Sequence, residues 1–141
     1  MREHRPRHAA GRARGPAGPA QVTAIGPPFD PVAPFIGAGE KMYTECEGCH
    51  SLKDNKLGPR HCGLIGRKAG SVSDYPSYSH AMRESGLTWD VKTLSDFLAE
   101  PFSYLPETGM GYIGIFDQQS RLDLIAYLDK QGKDPSVCPP Q

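Results

Sequence analysis

The chain has 141 residues, 38% of them apolar, with 14 prolines and 16 glycines; this length suits one domain with one core, and the composition calls for abundant loop. Formal net charge is zero, yet residues 1–34 carry five arginines against two acids, and the remainder carries 11 bases against 14 acids. The remainder is therefore mildly acidic, which argues against the clustered Lys/Arg of a nucleic-acid footprint, and no apolar run approaches the roughly 20 residues of a membrane span.

Residues 1–34 hold seven of the 14 prolines and offer only Ile25 and Phe29 as apolar anchors. They cannot bury enough surface to offset chain entropy, so an unstructured tail is predicted. Their basic start is not followed by the apolar stretch of about 7–15 residues that a secretory signal needs. An arm for nucleic acid or a membrane surface is one reading; scattered arginines favour a flexible appendage, or a start codon set too far upstream. The domain is expected over 35–133, with 134–141 as a C-terminal tail.

Segment 37–49, GAGEKMYTECEGC, contains good helix formers, with Met42, Tyr43 and Cys46 spaced for one face. Residues 50–74 are rich in Gly, Lys and Asp and read as loop. A short helix is predicted from Tyr78 to Ser85, closed by Gly86 as C-cap. Thr88 is the expected N-cap of a helix presenting Val91, Leu94, Phe97 and Leu98, ended by Pro101. Residues 101–116 read as loop. Asp117 is expected to cap a last helix with Leu124, Ile125, Tyr127 and Leu128 on one stripe, ending near Gly132. No segment alternates as a strand would. The prediction is an all-α fold of about four short helices and long loops, and so few helical residues call for an additional core component such as a buried cofactor.

Cys46-Glu47-Gly48-Cys49-His50 points to that component, because C-x-x-C-H is the attachment signature of a c-type haem. Two thiols three residues apart can each add to one vinyl group, and the adjacent imidazole can meet the iron. A bare C-x-x-C also suits a redox dithiol or half a zinc site. The first wants a βαβ pattern, which is missing; the second wants another ligand pair, and Cys62 and Cys138 stand far apart in sequence. Low-spin electron-transfer haems commonly place Met opposite His. Met42 and Met82 sit in helical patterns and read as core filler. Met110, in the loop PETGMG, is the candidate distal ligand.

From about Gly37 to Lys130 the chain resembles the small class I c-type cytochromes, mitochondrial cytochrome c and its bacterial periplasmic relatives. CEGCH at 46–50, GPRHCGLIGRKAG at 58–70, GLTW at 86–89, PETGMGYIGI at 106–115 and RLDLIAYL at 121–128 carry the likeness, in family order. The resemblance implies the cytochrome c fold, with first and last helices crossing and one covalent haem c, whose iron is ligated by His50 and Met110. It implies that the Pro59 carbonyl accepts the His50 N–H. Arg67, Tyr78, Trp89 and Thr108 would contact the propionates, and Tyr112 would shield the haem edge. The implied function is one-electron transport by a soluble monomer rather than enzymatic catalysis. The implied partners are a quinol–cytochrome c reductase and a terminal oxidase or other redox enzyme, and the implied location is the periplasm.

Several positions depart from the family pattern. Phe97 stands where a Tyr often touches the Met sulfur. His61 stands where a Leu usually packs beside the haem; it would turn outward, or sit buried and hydrogen-bonded, with a rival-ligand role the remote alternative. Phe102, Ser103 and Gly109 occupy positions that are commonly basic, so a flatter salt response is expected. The family's fold brings the stretch after the haem loop near the C-terminus, which suggests a Cys62–Cys138 disulfide, two free thiols being the alternative. Two other functions stay open: peroxidase-like activity if Met110 leaves the iron readily, and a non-haem C-x-x-C redox or metal protein.

Overall fold

The computed structural model describes residues 32–140, so the tail predicted for 1–34 lies, up to residue 31, outside the described residues. Five helices follow in order: α1 Ile36–Tyr43, α2 His80–Arg83, α3 Val91–Ala99, α4 Pro101–Tyr104 and α5 Gln118–Lys133. Among the described residues there is no strand. An isolated antiparallel bridge joins Lys68 to Thr88. The all-α expectation is borne out, with one more short helix than expected.

That bridge explains a correction. Thr88 is not the cap of α3, because residues 66–69 pair with 87–89: Trp89 N–H donates to the Arg67 carbonyl at 2.9 Å and Gly66 N–H to the Trp89 carbonyl at 2.7 Å. Asp90 is the cap. Its carboxylate accepts the Thr93 N–H at 2.8 Å, and the Thr93 hydroxyl accepts the Asp90 N–H at 2.9 Å, a reciprocal capping box. Pro101 does end α3, but it also starts α4 at a position where its missing N–H costs nothing. The helix expected over 78–85 is confined to His80–Arg83. Asp117 caps α5 as predicted, accepting the Ser120 N–H at 2.9 Å.

α1 packs on α5, and α3 packs on both α5 and α4. The α1–α5 crossing is close because Gly39 has no side chain. A Cβ there would lie 2.1 Å from the Asp123 carbonyl oxygen and 2.8 Å from the Tyr127 Cβ. Asp123, buried within α5, accepts the Phe35 N–H at 2.8 Å and a Gln119 amide N–H at 3.1 Å, so its burial is compensated. Arg121 links α5 to α3 through the Ser95 hydroxyl at 3.0 Å and to the preceding loop through the Ile115 carbonyl at 2.8 Å. Leu94, Phe97 and Leu98 of α3 meet Leu124, Ile125 and Leu128 of α5 in the core, with Tyr43, Leu64 and Trp89 alongside. Cys62 and Cys138 are joined by a disulfide, Cα–Cα 5.5 Å, which ties residues after α5 to the loop following α1. Gly63 N–H to the Gly132 carbonyl, 3.2 Å, supports the same junction.

Candidate functional site

Beyond Tyr43 the chain keeps winding. Cys46 N–H donates to the Tyr43 carbonyl at 2.8 Å, and Cys49 and His50 N–H both donate to the Cys46 carbonyl, at 3.1 and 2.9 Å. The winding brings Cys46, Cys49 and His50 together on the wall of one cavity of about 560 Å³. Met110 lines the same cavity, as do Pro59, Arg67, Tyr78, Trp89, Thr108 and Tyr112. Every residue singled out from the sequence for cofactor contact therefore borders one space, although those residues span positions 46 to 112.

His50 is held by the loop that follows it. Its Nδ1 lies 2.9 Å from the Pro59 carbonyl oxygen. That oxygen can only accept, so Nδ1 carries the proton and Nε2 keeps its lone pair. The loop presses close because residue 58 is glycine: a Cβ there would sit 2.2 Å from the His50 ring. Burial lowers the His50 pKa, the Pro59 hydrogen bond opposes this, and Arg67 and Lys56 lower it further. A neutral imidazole with one free nitrogen is a ready ligand. Cys46 is half-buried and Cys49 exposed, and neither is in a disulfide. Burial pushes the Cys46 thiol up to about 11, with Glu45, Glu47 and Cys49 adding to the effect.

The remaining predicted residues have protein partners of their own. Arg67 donates to the Arg60 carbonyl at 2.9 Å and the Cys62 carbonyl at 3.2 Å, so it braces its loop as well as facing the cavity. The Tyr78 hydroxyl accepts the Val72 N–H at 3.1 Å. Trp89 is buried with its ring 5.3 Å from that of Phe97. The Thr108 hydroxyl accepts the Met110 N–H at 3.2 Å, and the Tyr112 hydroxyl donates to a Glu45 carboxylate oxygen at 3.3 Å.

Met82, read from the sequence as core filler, does pack against the hydrophobic core and also lines the cavity. His61, left without a role, also lines the cavity. It stacks on His50 and meets the Tyr43 hydroxyl at 3.0 Å. Burial holds it well below the ordinary histidine pKa, and His50 and Arg67 act in the same direction.

The cavity suits a haem. Its volume falls within the roughly 300–1,000 Å³ of cofactor sites, and Leu64, Leu94, Leu98 and Leu128 give it an apolar wall. Two thiols that could add to vinyl groups, an imidazole with a free nitrogen and a thioether border it, and these groups fit a covalently attached haem. The zinc alternative finds no support, since among the described residues no group of three or more His, Cys, Asp or Glu side chains could hold a metal ion.

No protein-family model matches the chain. It is 42% identical over 93 residues to cytochrome c of Cochliobolus lunatus, covering 64% of this chain and 85% of the relative. It is 37% identical over 102 residues to cytochrome c2 of Rhodoplanes tepidamans, covering 70% of this chain and 94% of the relative. Among solved structures, cytochrome cH from Methylobacterium extorquens is similar with a TM-score of 0.65 and 41% identity, over 67% of this chain and 97% of that one.

Proposed function

This chain belongs to the class I c-type cytochromes, and on that premise we propose that it is a His/Met-ligated carrier, with Cys46 and Cys49 as attachment points and His50 and Met110 as axial ligands. Membership of the family makes it an electron-transfer protein with covalent haem c rather than an enzyme. The haem supplies a one-electron ferric/ferrous couple. The observation that carries the finer reading is the convergence of both thiols, the His50 imidazole and the Met110 thioether on one cavity.

The protein's share of the work is to hold and to exclude. Pro59 orients His50 through its carbonyl, and Gly58 lets the backbone close on the ring. Thr108 fixes the backbone of the Met110 loop. Arg67, Tyr78, Trp89 and Thr108, which line the cavity, would meet the propionates, and Tyr112 is tied to Glu45 beside Cys46. With His50 and Met110 both serving as ligands, the haem iron would offer no open site to a small substrate, which sets this reading against peroxidase activity. No described helix is long and apolar enough to cross a membrane. We assign the protein to the periplasm, between a quinol–cytochrome c reductase and a terminal oxidase or similar acceptor.

A haem stain after denaturing electrophoresis tests the attachment, and the far-red charge-transfer band of the ferric protein tests the thioether. Wild type should show both, and Met110→Ala should keep the stain and lose the band. A colourless wild type, or a band that persists in Met110→Ala, would overturn the reading; persistence there and loss in Met82→Ala would move the ligand to Met82.

A further inference from the structure

His61 has no part in the site as proposed, yet it is the side chain most intimately placed against the proximal histidine. The two imidazoles stack with centroids 4.1 Å apart and planes 22° from parallel. His61 is itself held at both ends. Its backbone N–H is shared between the Ser51 and Leu52 carbonyls at 3.1 and 3.2 Å, and its Nδ1 lies 3.0 Å from the Tyr43 hydroxyl. Tyr43 is 3% exposed and packs against Tyr127 of α5, ring centroids 5.5 Å apart. The file Tyr127, Tyr43, His61, His50 thus runs unbroken from the α1–α5 crossing to the proposed axial ligand.

The geometry bears on what the Pro59 contact leaves undone. The Pro59 hydrogen bond at Nδ1 and the Gly58 backbone limit rotation of the His50 ring, but both come from one loop, and torsions to planar rings are broad enough that these contacts alone leave the plane some latitude. A second planar ring lying on the first resists that rotation directly. An aliphatic side chain at position 61 would fill the space without holding a plane. The Tyr43 contact in turn fixes the His61 ring, since swinging that ring would sacrifice a part-buried hydrogen bond.

We propose that Tyr43 and His61 are positioning residues for electron transfer: the hydroxyl of Tyr43 fixes the His61 ring, and the His61 ring fixes the plane of the His50 imidazole toward the cofactor. This rests on His50 being the proximal ligand. The two residues form a relay of orientation, with Tyr43 acting only through His61.

The test is proton NMR of the ferric holoprotein, whose four haem-methyl hyperfine shifts report axial-ligand orientation, together with the midpoint potential. His61→Leu should change the spread of the methyl resonances and shift the potential. Tyr43→Phe, which keeps the ring packing, should move both in the same direction and by less. In the His61→Leu background, Tyr43→Phe should add nothing. Tyr127→Phe, which removes a hydroxyl with no hydrogen bond among the described residues, should match wild type. Methyl shifts and potential unchanged in His61→Leu would overturn the proposal, as would a Tyr43→Phe effect that persists without His61. If His61→Leu fails to mature, Tyr43→Phe decides, and an unchanged spectrum there refutes the relay. A wild type without haem-methyl resonances would sink the haem reading itself, an outcome distinct from variants that merely match a normal wild type.

Discussion

Removing the haem should remove the fold. The double variant Cys46→Ser/Cys49→Ser takes away both proposed attachment points while changing little else, since Cys49 is exposed and Cys46 only half-buried. The chain would then have to support a cavity of about 560 Å³ bordered by the core of the described residues. At roughly 24 cal/mol per Å³ such a void costs about 13 kcal/mol, which matches the whole stability of an ordinary domain, about 5–15 kcal/mol. The Cys62–Cys138 disulfide contributes about 2–4 kcal/mol, but it is present with and without haem and so offsets none of this loss. Far-UV circular dichroism with urea titration reads the outcome once any non-covalently held haem has been extracted. The wild-type holoprotein should unfold in one cooperative step, and the variant should show much reduced ellipticity and no such step. A cooperative transition in the haem-free variant with the holoprotein's m-value would refute the reasoning, because the cavity walls would then collapse or stand without a filler.

Three further outcomes follow from named contacts. Gly39→Ala places a Cβ 2.1 Å from the Asp123 carbonyl, so α1 and α5 must separate; a loss of about 3 kcal/mol in urea unfolding is expected, and a loss below about 0.5 kcal/mol would mean that the crossing yields freely. The Asp90 pKa is lowered, first by the Thr93 N–H and then by the Thr93 hydroxyl, so its cap contributes fully above the unfolded carboxylate pKa of about 3.9 and is lost as pH falls through the lower folded value. Asp90→Asn should keep the cap and flatten that acid limb of stability, measured as the urea midpoint between about pH 5 and pH 2. Phe102, Ile113 and Phe116 are exposed at 54%, 73% and 72%, and Ser103 and Gly109 are exposed as well. With no cation at these positions, electron-transfer rates to an acidic partner surface should change by less than about threefold between low and physiological salt in stopped-flow traces, where electrostatic steering would change them by tenfold or more.

How much of this was legible in the sequence depended on whether the information was local. The pentapeptide CEGCH states its chemistry in consecutive residues, and α5 announces itself through its cap at Asp117 and its Leu124–Leu128 stripe. The start of α3 was misread because Thr88 and Asp90 are both good caps, and only the pairing of residues 66–69 with 87–89 removes Thr88 from the choice. The extent of α2 was overestimated because Tyr78 is taken by the Val72 N–H and by edge contact with Tyr75. His61 was visible as a departure, but its use was not: stacking on His50 and bonding to Tyr43 join three separate stretches of chain, and no spacing rule encodes that.

The walls of the cavity are not held equally, and this difference bears on function. On the side of His50, the ring is bounded by the Pro59 carbonyl, the Gly58 backbone and the His61 ring, and that loop is fastened by the disulfide at the next residue, Cys62. Met110 lies in a loop held by backbone bonds, the Tyr112 N–H to the Met110 carbonyl at 2.9 Å and the Thr108 N–H to the Leu105 carbonyl at 3.0 Å, and by two side-chain contacts, the Thr108 hydroxyl to the Met110 N–H and the exposed Tyr112–Glu45 pair; none of these closes on the thioether itself. Phe97 lines the cavity with a ring that has no hydroxyl to offer a thioether. Local stability follows the density of such constraints, so opening concentrates on the methionine side while the imidazole stays fixed. On the proposed ligation, the ligand next to the covalent anchors would be the more firmly held and the loop that bears the thioether the freer.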